Sequence, residues 1–269
     1  MQTGSIKRVI QFTVCLLLLG VSTFQPPTGM AQEVENPWSK PVNLSKSGSS
    51  LDPSVVVDST GVVHAIWLDS FDGYIYSEFA GGEWSAPEKV PFPFGERGTA
   101  AVSPIQLVND NRGFIHAFWI GPRKTLYHSF VNETHVSASG SWASSVEIAQ
   151  FVTGFDIAMD ADGNLHLVYV RGRDDGALPA GVYYRQSPDG FTWTSSQPIY
   201  LSPYFRSQPE AEVAHHVDIS TTSIDDNNRI FVGWDDPASN RASIRRSNDG
   251  GETLDEPYDV ALAGGNTFG

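Results

Sequence analysis

The chain has 269 residues, a formal net charge of −14 at pH 7 and a single cysteine, Cys15. A surface this acidic excludes nucleic acid and anionic lipid as partners held through bulk charge, and an anionic ligand would need a local cluster of arginines. With one cysteine there is no disulfide and no thiolate metal site, so stability must come from packing.

Lys7 and Arg8 precede an apolar run, Val9 to Phe24, which Pro26-Pro27 interrupts before the small-residue sequence Gly29-Met30-Ala31. This pattern predicts a secretory signal peptide over residues 1–31, cleaved after Ala31, with an uncleaved anchor as the alternative. Cys15 lies within the apolar run, without the small residues that precede a lipidated cysteine, and leaves with the leader. The mature chain is expected to be secreted or periplasmic, without stable membrane insertion. Roughly 240 residues remain, ample for one core or one repeat array.

The remaining sequence repeats. Four units each carry a short strand A (PSVVVD, PIQLVN, DIAMD, DISTTSID) and a polar turn followed by an apolar strand B. The B segments are DSTGVVHAIWLD from Asp58, NDNRGFIHAFWIG from Asn109, DADGNLHLVYVRG from Asp160 and DDNNRIFVGWDD from Asp225. Strand C follows (YIYSEF, TLYHSF, GVYYRQS, ASIRRS), then a segment D: GEWSAPEKV, GSWASSVEI, FTWTSSQPI and ETLDEPYDV. Four short strands repeating at roughly 45–60 residues, without helical periodicity, predict an all-β chain of β-propeller blades over residues 32–269. Strand B does not alternate cleanly (Val62, Val63, Ala65, Ile66, Trp67), as expected of a strand buried on both faces.

A fifth D-like segment, NPWSKPVNL from Asn36, has no A, B and C strands of its own. It predicts an N-terminal closing strand around Trp38 and a chain shorter than its fold, four blades out of six or more. The alternative is a complete four-bladed ring with a stray first strand. An open run of blades would expose an apolar face at each end, which predicts poor solubility.

Two C–D turns carry a tighter pattern. Ser247, Asp249, Gly251 and Thr253, with Leu254 after them, resemble the Asp-box or BNR repeat of the sialidase (neuraminidase) superfamily. Ser187, Asp189, Thr192 and Trp193 resemble it with one residue deleted. The resemblance, with the repeats, spans about residues 36 to 260 and implies a propeller of sialidase type. In such a turn the carboxylate accepts backbone N–H groups, the serine hydroxyl does likewise, glycine relieves a clash and the tryptophan tucks beneath, so these residues are read as scaffold.

In an up-and-down blade the A–B and C–D turns share one rim, and the B–C and D–A connections share the other. Recognition is therefore expected on the rim opposite the Asp-boxes. Sialidases bind a sugar carboxylate with three arginines and use an aspartate acid/base with a glutamate-activated tyrosine nucleophile. On the expected rim lie Arg97, Arg171, Arg173 and Arg206, and the candidate acids Asp69, Asp174, Asp175 and Asp235. Tyr204 and Glu210 share one loop there. Phe92, Phe94, Tyr204 and Phe205 suit sugar stacking or covering of the blade tops, while His215 and His216 suit a sugar or metal contact. His64, His116 and His166 hold one register of strand B and are read as scaffold bridging neighbouring blades. Where the family places its first arginine, in an R-I-P-like motif, this chain reads Leu51-Asp52-Pro53-Ser54.

No HExxH, cysteine pair, EF-hand spacing or Gly-rich phosphate loop occurs in the sequence, so no metal or cofactor is expected. Two readings remain. One is a glycan- or protein-binding propeller without a complete catalytic set, which Asp52 favours. The other is an exo-α-sialidase-like glycoside hydrolase acting on sialylated or related acidic glycans.

Overall fold

The computed structural model describes residues 39–202, 205, 216–224, 227–236 and 241–260. The expected leader and Trp38 lie outside them. Residues 1–42 cluster as one unit, of which 39–42 are described and have no regular structure.

Residues 43–269 form the second unit. Its first antiparallel sheet contains β1 (Ser50–Val57), β2 (Val63–Asp69), β3 (Gly73–Ala80) and an outer edge in two pieces, β4 (Glu83–Trp84) and β5 (Glu88–Lys89). Pro87 lies in the break, where a residue without an N–H cannot continue the ladder. The second sheet runs β6 (Gln106–Asn109), β7 (Phe114–Ile120), β8 (Leu126–Asn132) and β9 (Val146–Ala149). The third runs β10 (Val152–Met159), β11 (Leu165–Arg171), β12 (Gly181–Ser187) and β13 (Gln197–Leu201). The fourth runs β14 (Val217–Ile224), β15 (Asn227–Asp236), β16 (Arg241–Ser247) and β17 (Tyr258–Val260).

Each sheet is a meander whose strands pair in sequence order, and the first strands of successive sheets touch: β1 with β6, β6 with β10, β10 with β14. These are the blades the repeats predict. Of the segment expected to close the ring, residues 36–44, only 39–44 are described, and they form no strand. An outer strand needs a third strand to pair with, and β3, β8, β12 and β16 each already hold their own.

The core consists of three layers, one at each blade–blade junction. Strand alternation feeds them. Along β7, Ile115, Ala117 and Trp119 face the first blade, while Phe118 and Ile120 face the third. Along β11, Leu165, Leu167 and Tyr169 face the second blade, while Val168 and Val170 face the fourth. This is why the B segments read as continuous apolar runs. The tryptophans that open the D segments join the same layers, Trp142 against Phe92 and Phe94, Trp193 against Phe118.

The A–B turns are pinned by carboxylates. Asp58 Oδ1 accepts the amides of Thr60 and Val62, Asp110 Oδ1 those of Arg112 and Phe114, and Asp160 Oδ1 those of Asp162 and Asn164. The second oxygen of each meets a strand-B histidine: Asp58–His64 at 3.2 Å, Asp110–His116 at 3.3 Å, Asp160–His166 at 3.0 Å. The other ring nitrogen meets a strand-C side chain, Tyr76, His128 and Tyr184 respectively. These histidines therefore bond within their own blades, not across to the neighbour as the sequence suggested. Each histidine follows its aspartate by six positions, the distance of one turn and one strand start, so the network is local.

The junctions are closed by the next blade's C–D turn. Gly190 packs on the His116 ring, Gly251 lies against Tyr184, and Glu133, held by Asn109 of its own blade, accepts the Ser59 N–H across the first junction.

The terminal blades each keep an apolar face. Leu51, Val55 and Val57 on β1 are 54%, 58% and 53% exposed, and Tyr258 and Val260 on β17 are exposed at the other end. These faces are of the kind buried at every internal junction, so the purified chain is expected to self-associate. The pair Val55→Lys and Val57→Lys should shift it toward monomer in sedimentation velocity; a wild-type chain sedimenting as one monomeric species contradicts the expectation.

Candidate functional site

The two rims differ in chemistry. On the first, both Asp-box-like turns are self-contained. Asp189 Oδ1 accepts the amides of Phe191 and Thr192 and the Ser187 hydroxyl. Asp249 Oδ1 accepts the Thr253 amide and the Ser247 hydroxyl, and Ser247 Oγ accepts the Gly251 amide. Burial works to raise both aspartates, but these donors outweigh it and hold them below the usual carboxylate range. Each carboxylate is thus occupied by its own turn, as the sequence pattern implies for scaffold, and Trp193 packs beneath on Phe118 and His128.

On the opposite rim a cleft of about 360 Å³ opens where the β2–β3 turn of the first blade meets the connection to the second. Asp72, Tyr74, Lys89, Phe92, Phe94 and Glu96 line it. Phe92 and Phe94 are buried and stack on each other, and Tyr74 meets Phe94 edge-on, so the floor is aromatic and fixed. Burial, and then the charge of Asp52, pushes the Tyr74 phenol up to about 12, so it stays protonated and can donate or accept a hydrogen bond.

The turn beside the cleft is rigid. Asp69 is buried, and its Oδ1 accepts the amides of Phe71 and Asp72 while Ser49 Oγ donates to Oδ2. Bonds from Ser47 and from the Phe71 and Asp72 amides hold Asp69 down to about 2. The turn projects Phe71, which is 87% exposed, immediately before two lining residues, Asp72 and Gly73. Sequence reasoning missed Phe71. Its signal was an aromatic residue inside a polar Asp-Ser-Phe-Asp-Gly turn, too short to reach any core.

The other predicted residues distribute as follows. Asp69 pins the turn just described, and Arg97 is exposed on the cleft-side connection, next to Glu96. Arg171 is buried, donating to the Gln150 carbonyl and pairing with Asp175. Arg171 and Arg173 flank the Phe151 ring at 5.1 and 5.0 Å, and Asp174 accepts the Ala180 amide. This group fastens the β11–β12 loop and lies in the third blade, apart from the cleft. Asp235 accepts the His216 amide in the fourth blade.

Phe205 is corrected from ligand contact to core: it is 0% exposed and packs edge-on against Tyr200. Phe92 and Phe94 likewise cover the blade tops. An apolar ring on a connection gains about 2–3 kcal/mol by burial and folds under unless a polar turn holds it out. Tyr204, Arg206, Glu210 and His215 lie outside the described residues. Asp156, not singled out in the sequence, is raised by burial and then by the Asp218 charge, against the amides it binds; its Oδ2 accepts the Ile219 amide and ties β10 to β14.

Among the described residues, no three His, Cys, Asp or Glu gather as a metal site, and no helix is long and apolar enough to cross a membrane.

No protein-family profile matches the chain, and no curated protein matches it. Solved structures do. The BP39L lectin from Burkholderia pseudomallei aligns over 84% of this chain and 60% of its own, with 12% identity and a TM-score of 0.58. AofleA from Arthrobotrys oligospora aligns over 78% and 56%, with 14% identity and a TM-score of 0.51. The Aleuria aurantia lectin, described as a six-bladed β-propeller, aligns over 80% and 62%, with 11% identity and a TM-score of 0.49. At these identities the likeness is one of fold, and it rests on the first two. The chain spans 56–62% of the length of these structures.

Proposed function

We propose that this chain is an exported, glycan-binding β-propeller of sialidase-superfamily type, with Asp-box repeats as scaffold and no complete catalytic set among its described residues. The parent architecture has six or more blades. The observation that carries the reading is the first-blade cleft: it lies opposite the carboxylate-pinned turns, its volume falls at the small-molecule end of the pocket range, and Phe71 stands rigidly exposed beside it. Sugar rings present apolar C–H faces and hydroxyl edges. Phe71 matches the first, and Tyr74, Asp72 and Glu96 match the second. One of the two structures that carry the fold likeness is named as a lectin.

A glycan array probed with the full chain is expected to give selective binding that Phe71→Ala weakens by about five- to tenfold, the range for one aromatic contact. The folded state should be unaffected, because the ring is exposed. A fluorogenic sialoside should not be turned over. Turnover of that sialoside, or array binding indifferent to Phe71→Ala, would sink the reading.

A further inference from the structure

The charges around the cleft narrow the ligand, on the premise that the glycan-binding reading holds. We infer that the sugar unit held there carries a free amino group, as in a basic glucosamine-type glycan, and that carboxylated sugars are rejected. Two of the three ionised groups that line the cleft are carboxylates, Asp72 and Glu96, against one ammonium, Lys89. Two more carboxylates stand behind. Asp69 closes the turn that carries Phe71 and Asp72, and Asp52 lies near enough to Tyr74 for its charge to act on the phenol.

Asp52 is placed by the backbone. It adopts φ 47° where the β1–β2 register shifts between Leu51 and Ser54, and Pro53 follows it. A non-glycine residue in the left-handed region is held there by its surroundings, and aspartate tolerates that region better than most.

An ammonium group offers three donors to acceptors that are already ionised, and its attraction to an aromatic face adds to the stacking on Phe71. A uronate or sialate would meet like charge with only Lys89 to offset it. Arg97 follows Glu96 but does not line the cleft.

The test is calorimetric titration of the full chain with three tetrasaccharides of matched length: tetraglucosamine, its fully N-acetylated form and tetragalacturonate. Tetraglucosamine is expected to bind about tenfold more tightly than the N-acetylated form at low salt, with the gap closing at high salt, and tetragalacturonate not to bind. Asp52→Asn and Asp72→Asn should each reduce the preference by about threefold, the scale of one solvent-exposed charge, with thermal unfolding unchanged. Tetragalacturonate binding as tightly as tetraglucosamine overturns the inference, as does a preference that survives the double variant. If none of the three binds but the glycan array gives a Phe71-dependent ligand, the amino-sugar inference falls and the glycan reading stands. If the array is empty too, both fall.

Discussion

Gly190→Ala is expected to destabilise the chain by about 3–4 kcal/mol, whereas Gly140→Ala should cost only about 1 kcal/mol. The two glycines have the same backbone angle, φ +74°, so the strain of a left-handed alanine is common to both. They differ in what a Cβ would meet. At Gly140 there is nothing within 4 Å; at Gly190 the Cβ would lie 2.2 Å from His116 Cε1. That ring cannot retreat. It is fully buried, bonded to Asp110 on one side and His128 on the other, and covered by Phe191. The difference between the two variants therefore isolates the seam where the third blade's C–D turn closes over the second blade's histidine. Urea unfolding of both variants measures it, and equal losses would show that the seam is loose. Gly251 repeats the situation one blade later, with its Cβ position 2.0 Å from the Tyr184 hydroxyl oxygen. Glycine in these C–D turns thus serves close packing between blades as well as the turn itself.

The blades were legible in the sequence because their signals are local. An aspartate six residues before a histidine fixes the A–B turn, and a strand that feeds two core layers must be apolar on consecutive residues. The pinned turns were legible too, since Ser187–Thr192 and Ser247–Thr253 each close on their own aspartate. What the sequence left open depended on contacts distant in sequence. Trp38 repeats the D pattern without strands of its own to pair with, and it lies outside the described residues. Phe92, Phe94 and Phe205 on long connections left two readings open, sugar stacking or covering of the blade tops, and each lies in a core layer, with Phe92 and Phe94 also flooring the cleft. Phe71 sits in a short turn and looks incidental, yet the Asp69 carboxylate holds it out. Exposure of an aromatic ring is decided by which hydrogen bonds fix the backbone beneath it, and composition cannot show that. The same holds for Arg171 and Arg173. Both lie against the Phe151 ring and Arg171 pairs with Asp175, contacts that charge alone does not show.

Acid should weaken the second blade first, and His128→Tyr should relieve it. The first and third blades place Tyr76 and Tyr184 where the second places His128. The Asp110 carboxylate accepts the Nε2–H of His116, which leaves Nδ1 to accept from His128. His128 is stacked on Phe118, faces Phe130 and Trp193, and has no carboxylate of its own among these contacts. Burial, and then the charge of His116, lowers its pKa to about 3. The sign follows from linkage. Below the ordinary histidine value of about 6.5 the unfolded chain binds a proton that the folded chain refuses, so stability falls with pH from there down to about 3. Asp110, held to about 2 because the bonds from His116 and the Phe114 and Arg112 amides outweigh its burial, loses its contribution only in a lower window, below about 3.8. Between pH 7 and pH 5 the loss therefore comes from buried histidines, and His128 alone accounts for about 2 kcal/mol at pH 5. His166 is also lowered by burial, but Asp160 offsets part of that effect. In His128→Tyr any cost of fitting the larger ring is the same at both pH values, so the diagnostic quantity is the difference in urea midpoint between pH 7 and pH 5. It should shrink by half or more relative to the wild type, and an unchanged difference would place the acid sensitivity outside this network.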